Sequence, residues 1–347
     1  MTRLRLDKKV LDLDPEKETA KISASLRRIL SRDLRKRGLV VALSGGIDSS
    51  VTLALAAEAL GRQRVLALLM PERHSAGDTL PLSRMVAEHF GVLHIHEDIS
   101  PILDAVGFYR RYNEAVRRVI PAYDDRWKSK IAMAPSMGAA GFNYFRLVAR
   151  SPEGEEFTAR LGLKAYLEIV AATSFKQRIR KMLEYYHADR LNYAVAGTPN
   201  RLEYDQGFFV KLGDGAADVK PIAHLYKTQI YQLAAHLNVP EEIRSRPPST
   251  DTYSLAQGQD EFYFSFPHET MDICLYAKNH GYPPEDVARC TGLTAEQIRH
   301  VFDDIDTKRS TTRYLHLQAQ MVEDVSEVSF SWKPDDAGKN HETAKIG

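Results

Sequence analysis

This chain of 347 residues has little cysteine, only short apolar runs and almost no excess of one charge. The two cysteines, Cys274 and Cys290, form neither a disulfide framework nor a Cys-x-x-Cys metal pair. With 47 basic and 46 acidic residues the formal net charge is +1, so no global basic field attracts nucleic acid. The apolar stretches fall short of the roughly 18 residues that span a bilayer, and no secretory leader is visible. These absences predict a cytoplasmic protein that binds neither nucleic acid nor membrane.

The most informative segment, residues 40–52, runs from a short apolar stretch through a Ser-Gly-Gly turn into an apolar helix. The two glycines permit backbone angles and a close approach that side chains would block. The N–H groups that follow, together with the positive end of the helix dipole, then face an anion. The serines add neutral donors, and the carboxylate can hold a magnesium ion that neutralises part of a phosphate charge. We therefore predict a phosphate-binding loop made of Ser44, Gly45, Gly46, Asp48 and Ser49.

Two familiar phosphate loops do not match this segment. The Walker A order with its lysine is missing, and the Gly-x-Gly-x-x-Gly dinucleotide fingerprint does not occur here. A plain glycine turn between a strand and a helix remains an alternative. The letters Ser-Gly-Gly-Ile-Asp-Ser resemble the pyrophosphate loop of the ATP-pyrophosphatase superfamily. Its members split ATP into AMP and pyrophosphate and thereby activate a substrate as its adenylate, so the resemblance names a reaction type but no substrate.

Strands and helices alternate along the first part of the chain. A continuous apolar run at residues 64–70 is typical of a parallel strand that is buried on both faces. The alternation predicts an α/β fold, a doubly wound parallel sheet with helices on both faces in a Rossmann-like arrangement. Ligands of such sheets bind beyond the carboxyl ends of the strands, where the phosphate loop would lie. The predicted strands are 39–43, 64–70, 92–95 and 191–197, and the predicted helices are 18–34, 50–60 and 82–90.

An insertion at about 121–165 is more than a minimal α/β domain needs. It contains a glycine-rich stretch at 136–141 and two β-prone runs, 142–150 and 156–161, on either side of a Ser-Pro-Glu-Gly turn. This pattern predicts a β-hairpin. Because the insertion lies between the phosphate loop and a later arginine-rich helix, it could reach the pocket or a dimer surface.

The region 268–310 is predicted to be helical. Two short helices, 283–290 and 294–302, follow one another, with Thr294 as a candidate N-cap of the second. Their arrangement resembles a helix-turn-helix, but the neutral net charge argues against DNA binding. The predicted organisation is one domain over 1–310, with the insertion inside it, and an extension over 311–347 with a disordered polar end from Pro334.

A second group of motifs lies between residues 196 and 261. The motifs are Ala196-Gly197-Thr198-Pro199-Asn200-Arg201-Leu202-Glu203, Gly213-Asp214-Gly215, Leu225-Tyr226-Lys227-Thr228-Gln229, Pro247-Pro248-Ser249 and Asp260-Glu261. In this order they closely resemble the ammonia-dependent NAD synthases, which belong to the superfamily that the first loop suggests. The likeness covers about residues 20 to 310, apart from the insertion. It implies an enzyme that adenylates the nicotinate carboxylate of deamido-NAD with ATP and magnesium, after which ammonia displaces AMP.

That chemistry accounts for the residue types in the motifs. Adenylation turns a poor leaving oxygen into a good one and divides a difficult amidation into two easier displacements. Charge develops on the phosphates and on the tetrahedral acyl centre, so lysine, magnesium and backbone donors must be placed beforehand. The resemblance therefore implies ATP as a substrate and Mg²⁺ as a cofactor.

The resemblance also implies a role for individual residues. The ATP-binding set is Ser44, Gly45, Gly46, Asp48, Ser49, Met70, Arg178, Thr198, Lys227 and Ser249. The substrate-binding set is Arg180, Lys211, Asp214 and Asp218, the magnesium ligands are Asp48 and Glu203, and the catalytic residues are Asp48, Lys227 and Asp214. Simpler interpretations stay open: a solvated loop carboxylate for Glu203, a helix-surface lysine for Lys227, a basic helix face for the arginines, and core packing for Met70.

The substrate half of the chain departs from the family pattern. The departures are Ser174 and Gln177 for Asn and Ala, Val210 and Leu212 for Thr and Tyr, Phe262 and Tyr263 after the Asp-Glu pair, and Thr307 for a histidine. A buried polar group without a partner discriminates strongly between substrates. An amide ligase of the same fold that uses another carboxylic acid is therefore an alternative function.

Other function classes fit less well. A tRNA-modifying pyrophosphatase would need a cysteine pair and a basic face, and a binding module would leave the loop, the carboxylate and the lysine idle. Glutamine-using relatives carry an extra glutaminase domain, for which 347 residues leave no space. Ammonia is therefore expected to be free or to come from a separate glutaminase. The resemblance further implies a homodimer whose site lies near the subunit interface.

Overall fold

The computed structural model describes residues 6–134, 144–250, 252–264, 266–323 and 325. The predicted glycine-rich stretch at 136–141 and the predicted disordered tail from Pro334 lie outside these ranges. None of the described helices combines the length and apolar character needed to cross a bilayer. The helices are α1 (Pro15–Arg28), α2 (Ile47–Leu60), α3 (Thr79–His89), α4 (Ser100–Ala105), α5 (Phe108–Arg117), α6 (Leu163–Leu191), α7 (Arg201–Gln206), α8 (Lys227–His236), α9 (Glu241–Arg244), α10 (His268–Asn279), α11 (Pro284–Thr291) and α12 (Ala295–His316).

The described strands form a parallel sheet and two smaller antiparallel ones. They are β1 (Leu39–Leu43), β2 (Val65–Leu69), β3 (Leu93–His96), β4 (Lys128–Ala134), β5 (Tyr144–Arg150), β6 (Glu156–Arg160), β7 (Ala194–Ala196), β8 (Ser249–Thr250) and β9 (Gln257–Gly258). The main sheet has the order β3–β2–β1–β7, and all its neighbouring strands are parallel. β4, β5 and β6 form the second sheet, and β8 pairs with β9.

The main sheet is doubly wound about its central strand β1. Leu39 of β1 lies opposite Val65 of β2 on one side and opposite Ala194 of β7 on the other. The chain first moves outward from β1 to β3 and later returns to the other side of β1 as β7. The predicted fold class is therefore confirmed, and the reversal next to β1 creates a crevice at the carboxyl ends of β1 and β7.

Helices cover both faces of this sheet because alternate residues of β1 point to opposite sides. Val41 belongs to the apolar cluster that includes Ile22 of α1 and Ile230 of α8. Val40 belongs to a second cluster, which includes Phe108 of α5 and residues of α6. The strand is buried on both faces, as its uninterrupted apolar sequence predicts.

Helix α2 begins earlier than the sequence predicted, at Ile47 and not at residue 50. Gly46 is its N-cap, with extended backbone angles of φ −94° and ψ 162°. Asp48 therefore lies in the first turn, where a carboxylate interacts favourably with the helix dipole. The predicted start was wrong because the polar residues after the glycines were assigned to the turn, although they suit a first helical turn.

The insertion folds as a three-stranded antiparallel sheet, here called the inserted sheet (β4, β5 and β6). The predicted hairpin is confirmed, since β5 and β6 pair around a turn in which Gly154 N donates to the Ser151 carbonyl oxygen at 3.0 Å. The sequence did not predict β4, which pairs with β5 so that Ile131 lies opposite Leu147. Both side chains are fully buried in the cluster that also holds Phe108 of α5, so the inserted sheet packs against a helix that covers the main sheet.

The last described helices pack together beside the main sheet. Thr294 caps α12 as predicted: its hydroxyl oxygen accepts from Gln297 N at 3.2 Å, and the Gln297 side chain accepts from Thr294 N at 2.9 Å. The predicted end of this helix at residue 302 is wrong, because α12 continues to His316. Buried Ile305 and Lys308 extend its inward face by two turns, and no glycine or proline interrupts it.

Candidate active site

A large cavity opens at the carboxyl ends of β1, β2 and β7. Its volume of about 1510 Å³ exceeds the roughly 300–1,000 Å³ of a typical small-ligand pocket. Ser44, Met70 and Gly197, which directly follow the three strands, all line it. The predicted site residues that line the cavity are Ser44, Gly45, Gly46, Asp48, Ser49, Met70, Arg178, Arg180, Thr198, Glu203, Lys211, Asp214 and Lys227.

The Ser-Gly-Gly loop passes closely beneath α3. Gly45 has φ +71°, and a Cβ there would lie 3.0 Å from Leu82 Cβ and 3.2 Å from the Thr79 carbonyl oxygen. The turn therefore requires glycine for its backbone angle and for its contacts. The Ser49 hydroxyl donates to the Gly46 carbonyl oxygen at 3.0 Å. Because Gly46 has no side chain to cap α2, the first N–H groups of this helix are suited to bind an anion.

Asp48 and Lys227 form an ion pair at the floor of this loop. Asn200 Nδ2 also donates to Asp48 Oδ1, at 3.2 Å. The Lys227 side chain is only 2% exposed, and burial alone would lower the pKa of its ammonium. The negative charges of Asp48 and Glu203 outweigh that effect and raise the pKa overall. Lys227 is therefore a fixed positive charge in the cavity and not a solvated lysine on a helix surface.

Glu203 is held by the start of α7 and by one amide. Asn200 Oδ1 accepts from Glu203 N at 3.2 Å, and Glu203 Oε2 accepts from Asn200 N at 3.1 Å. Gln259 Nε2 donates to Glu203 Oε1 at 3.0 Å. Burial raises the pKa of Glu203 to about 7, and repulsion from Asp48 adds to the shift. A bound cation would favour the ionised form of this carboxyl.

The donor set suits magnesium better than zinc. In the described ranges no three His, Cys, Asp or Glu side chains come together in a way that could hold a metal. Magnesium commonly needs only one or two protein carboxylates, since waters and phosphate oxygens complete its octahedron. Asp48 and Glu203 both line the cavity and supply two such carboxylates. They offer no nitrogen or sulfur, which zinc prefers.

A buried carboxylate, Asp272, supports Lys227 from behind. Asp272 Oδ2 accepts from the backbone N and the hydroxyl of Thr228, both at 2.7 Å, and Oδ1 accepts from Lys227 N at 3.3 Å. These bonds satisfy N–H groups at the start of α8 and so fix the direction of Lys227. Sequence reasoning missed Asp272, although a carboxylate among the apolar letters of Met271-Asp272-Ile273-Cys274-Leu275 was a visible signal.

The two predicted arginines extend from α6 to different parts of the cavity wall. Arg178 Nε donates to the Lys211 carbonyl oxygen at 3.4 Å. Arg180 Nε donates to the Met70 carbonyl oxygen at 3.0 Å and thereby ties α6 to the turn after β2. Both guanidinium-bearing side chains line the cavity, where such groups can grip phosphates.

The loop that contains the predicted substrate-binding residues Lys211 and Asp214 is closed by the Asp214 side chain. Asp214 Oδ1 accepts from Val210 N at 2.7 Å, and burial raises the pKa of this carboxyl. Lys211 Nζ donates to the Tyr314 carbonyl oxygen at 2.8 Å, so the loop is also tied to the end of α12. Leu212 has φ +60° and is 72% exposed at the cavity rim.

Asp218 does not join the others. Asp218 lies away from the cavity lining, and its carboxylate accepts from Val195 N at 2.8 Å and from the Tyr185 hydroxyl at 3.3 Å. Ser249 forms part of β8, but its side chain lies outside the described part of the structure. The family motif therefore identified a cavity residue at most positions and a sheet-linking residue at Asp218.

Sequence reasoning also missed a buried ion pair in the cavity wall. Lys176 Nζ lies 2.7 Å from Glu72 Oε1, with side chains that are 1% and 0% exposed. Glu72 Oε2 accepts from the Tyr109 hydroxyl at 3.0 Å and from His74 N at 2.9 Å. The signal was Glu72 itself, a carboxylate placed directly after the Met70-Pro71 turn.

Comparison with known proteins places this chain in a family. The family model described as NAD synthase matches residues 18–149 and 152–313. The chain belongs to the NAD synthase family. The NH₃-dependent NAD(+) synthetase of Mesorhizobium japonicum is 56% identical over 318 residues, which cover 92% of this chain and 100% of that protein. The enzyme of the same name from Rhizobium meliloti is 55% identical over 326 residues, covering 94% and 97%.

Other proteins are similar to this chain in sequence or in fold. The NH₃-dependent NAD(+) synthetase of Thermotoga maritima is 38% identical over 253 residues, which cover 72% of this chain and 84% of that protein. The NMN synthetase structure from Francisella tularensis aligns with a TM-score of 0.62 at 21% identity, covering 89% of this chain and 99% of that one. The NH₃-dependent NAD synthetase from Campylobacter jejuni aligns with a TM-score of 0.58 at 22% identity, covering 90% and 100%.

Proposed function

We propose that this member of the NAD synthase family is an ammonia-dependent NAD synthase. It would convert deamido-NAD, ATP and ammonia into NAD, AMP and pyrophosphate. The observation that carries the proposal is the 56% identity to the Mesorhizobium japonicum NH₃-dependent NAD(+) synthetase over that protein's whole length. The cavity supports it, since a phosphate loop, two carboxylates and a buried lysine converge there.

We propose that the loop from Ser44 to Ser49 and the start of α2 bind the β- and γ-phosphates of ATP. The exposed N–H groups and the helix dipole supply positive potential without a mobile side chain. Lys227 adds a full positive charge close by. Met70 and Thr198 would contact the remainder of the nucleotide from the ends of β2 and β7, and Ser249 would approach it from β8.

Magnesium, when bound by Asp48 and Glu203, would neutralise phosphate charge and orient the leaving pyrophosphate. The ion pair between Asp48 and Lys227 would then be exchanged for a shared interaction with ATP. Lys227 is held at its root by Asp272, so its ammonium would stay in the cavity while negative charge moves from the acceptor carboxylate to pyrophosphate.

We propose that Arg180, Lys211 and Asp214 face the acceptor, with Arg178 between acceptor and ATP. In the first step a carboxylate oxygen of the acceptor attacks the α-phosphorus, and the bond to pyrophosphate breaks. In the second step ammonia attacks the acyl carbon, the C–O bond to AMP breaks, and the nitrogen loses one proton to solvent. Fixed cations that favour the pentavalent and tetrahedral centres lower both barriers. Asp218, which holds β7 to α6, would act on the acceptor only indirectly.

We further propose a homodimer that uses the outer side of α6. Four large apolar side chains of this helix are exposed: Leu163 by 73%, Leu167 by 53%, Met182 by 53% and Tyr186 by 61%. Leu163 and Leu167 lie one turn apart near the start of α6, and Met182 and Tyr186 lie one turn apart near its end. We call these four residues the apolar stripe and propose that they contact the second copy, because exposed apolar patches are typical of protein–protein interfaces.

The test is incubation of the purified chain with ATP, magnesium, ammonium and deamido-NAD. The proposal expects NAD and AMP in equal amounts, separated and measured by chromatography. AMP release with a different carboxylic acid, and no turnover of deamido-NAD, would instead assign the chain to an amide ligase with another acceptor. Ser174, Gln177 and Val210 would then be the first positions to examine, since they line the acceptor side and depart from the family letters.

A further inference from the structure

One wall of the cavity is formed by a segment that is bound both by the inserted sheet and by helices beside the main sheet. The wall segment, residues 252–264, runs between β8 and α10 and includes β9. Tyr253, Leu255, Gln257 and Gln259 all line the cavity. Because the segment contains only the two-residue strand β9 and one π-helical turn, its position depends on what it packs against.

Strand β4 of the inserted sheet binds the wall segment through its backbone. Leu255 N donates to the Ser129 carbonyl oxygen at 3.2 Å, and Ser129 N donates to Ser254 Oγ at 2.9 Å. Gln257 Nε2 donates to the Ile131 carbonyl oxygen at 2.7 Å. These bonds attach the wall segment to the edge strand β4 of the inserted sheet, although the two are more than a hundred residues apart in sequence.

Side chains of the inserted sheet reinforce this attachment. Lys130 Nζ lies 2.7 Å from Glu261 Oε1 and donates to the Ala256 carbonyl oxygen at 3.2 Å. The Lys130 side chain is 14% exposed and that of Glu261 is 36% exposed, so water screens the pair only in part. Leu255 packs against Val148 of β5 and Ala132 of β4 in a small buried cluster. Neither Lys130 nor Glu261 lines the cavity.

The other end of the wall segment is bound to α7, which carries the proposed magnesium ligand Glu203. Gln259 Nε2 donates to Glu203 Oε1 at 3.0 Å. The Tyr263 hydroxyl donates to the Gln206 carbonyl oxygen at 2.8 Å, and Lys308 Nζ donates to the Tyr263 carbonyl oxygen at 2.5 Å. The wall segment therefore spans the cavity from the inserted sheet to α7 and α12.

We propose that the inserted sheet, through Lys130, positions the wall segment so that water is excluded from the acyl-adenylate until ammonia attacks. This rests on the proposed function. If water attacks the acyl carbon instead, the C–O bond to AMP breaks, the acid is regenerated and a proton passes to solvent. One ATP is then lost without amide formation. Excluding water from a reactive intermediate is a recognised role of segments that cover an active site.

The test separates adenylation from amide transfer by measuring AMP and NAD in the same reaction. In Lys130→Met the ion pair and the bond to Ala256 are lost, while every cavity-lining side chain is unchanged. We expect the ratio of AMP to NAD to rise by roughly three- to tenfold, with pyrophosphate release largely retained. Glu261→Gln, a milder change, should raise the ratio in the same direction. The exchanged pair Lys130→Glu with Glu261→Lys should bring the ratio back towards one AMP per NAD.

Lys278→Met is a matched control. Lys278 pairs with Asp306 at 2.7 Å and is 15% exposed, close to the 14% of Lys130, but its pair joins α10 to α12 outside the cavity lining. It should leave the ratio unchanged. An unchanged ratio in both Lys130→Met and Glu261→Gln, or an equal fall of AMP and NAD, would overturn the proposal. The second outcome would indicate a purely structural role.

Amide hydrogen exchange tests the attachment of the wall segment separately, because it needs no acceptor. In the absence of any substrate, exchange in residues 252–264 should be faster in Lys130→Met than in the wild type, with the main sheet unaffected. Absence of NAD formation by the wild type would contradict the proposed function. Unchanged exchange in the wall segment would contradict the attachment itself.

Discussion

Lys227 pairs with Asp48 although 179 residues separate them. Glu203 adds a second carboxylate to the same buried place, and the three groups carry a net negative charge of one when all are ionised. The negative charge of the two carboxylates opposes phosphate binding at the neighbouring N–H groups unless a divalent cation enters with the phosphate. Magnesium and ATP are therefore expected to bind together, because the cation converts the carboxylate pair from a repulsive to an attractive surface.

Neutralising either carboxylate should abolish this cooperation. In Asp48→Asn and Glu203→Gln we expect magnesium-dependent pyrophosphate release to fall by about 10²–10³-fold, because a cation ligand is lost while shape is kept. Asp33→Asn, which alters an exposed pair with Arg28, is the control. Near-normal rates of pyrophosphate release at saturating magnesium in both site variants would contradict the assignment of Asp48 and Glu203 as magnesium ligands.

Asp272 allows a test by pH that does not involve the cavity. Burial raises its pKa from 3.8 to about 6 in the folded protein. The protonated form is favoured on folding, so this contribution to stability is fully present below about pH 4 and is lost as pH rises through about 6. The wild type should lose about 2–3 kcal/mol from this group over that interval.

Asp272→Asn should lack that part of the pH dependence. Urea unfolding of both proteins at several pH values between about 4 and 7 measures the difference in the free energy of unfolding. Parallel curves for the two proteins would contradict the assignment of a raised pKa to Asp272.

At the scale of elements, α6 connects the two sides of the molecule. Over its 29 residues it offers cationic side chains to the cavity and apolar side chains to the surface. Lys176 and Arg180 both hold the turn after β2, through Glu72 and through the Met70 carbonyl oxygen. Because the nucleotide is proposed to bind at that turn, α6 sets the shape of the ATP pocket from behind.

Breaking the buried pair between α6 and this turn should be costly. Glu72→Ala would leave the Lys176 ammonium buried without its carboxylate, and we expect a loss of about 3–5 kcal/mol in the free energy of unfolding. The double variant Glu72→Met with Lys176→Met should recover most of that loss, but the KM for ATP should stay raised because the turn loses its fixed position. A single variant as stable as the wild type would contradict this account.

The outer side of α6 carries a separate prediction about assembly. Tyr186→Glu and Leu167→Glu place charges in the exposed apolar stripe and should convert a dimer into a monomer, measured by light scattering. Glu168, one residue along, pairs with Arg118 and is not part of the stripe, so Glu168→Gln is the control. A wild-type monomer at micromolar concentration would contradict the dimer.

At the scale of the whole molecule, local sequence patterns predicted the parallel sheet and the phosphate loop, but they did not predict the buried ionic side chains that hold the site in place. The apolar runs predicted β1 and β2 because burial on both faces leaves a continuous signal. Glu72, Lys176 and Asp272 were missed because their partners come from other elements, and no spacing in the sequence records such pairs. The predicted end of α12 failed for a related reason, since burial against α10 extends the helix beyond its local pattern.

The inserted sheet shows the same limit. Its hairpin was predicted from a Pro-Gly turn, but the third strand and its hold on the wall segment depend on contacts between distant parts of the chain. The site residues were named from family motifs, and the structure brings most of them to one cavity. Asp218 was named in the same way and lies elsewhere, since its carboxylate serves the backbone of β7.

The central claim is that the acceptor carboxylate is activated as its adenylate. The most direct test uses acceptor deamido-NAD with both carboxylate oxygens labelled with ¹⁸O, together with ATP, magnesium and ammonium. When ammonia displaces AMP, one carboxylate oxygen must leave on the phosphate of AMP, and mass spectrometry should find one ¹⁸O per AMP formed. Unlabelled AMP, or label in orthophosphate or pyrophosphate, would contradict the account.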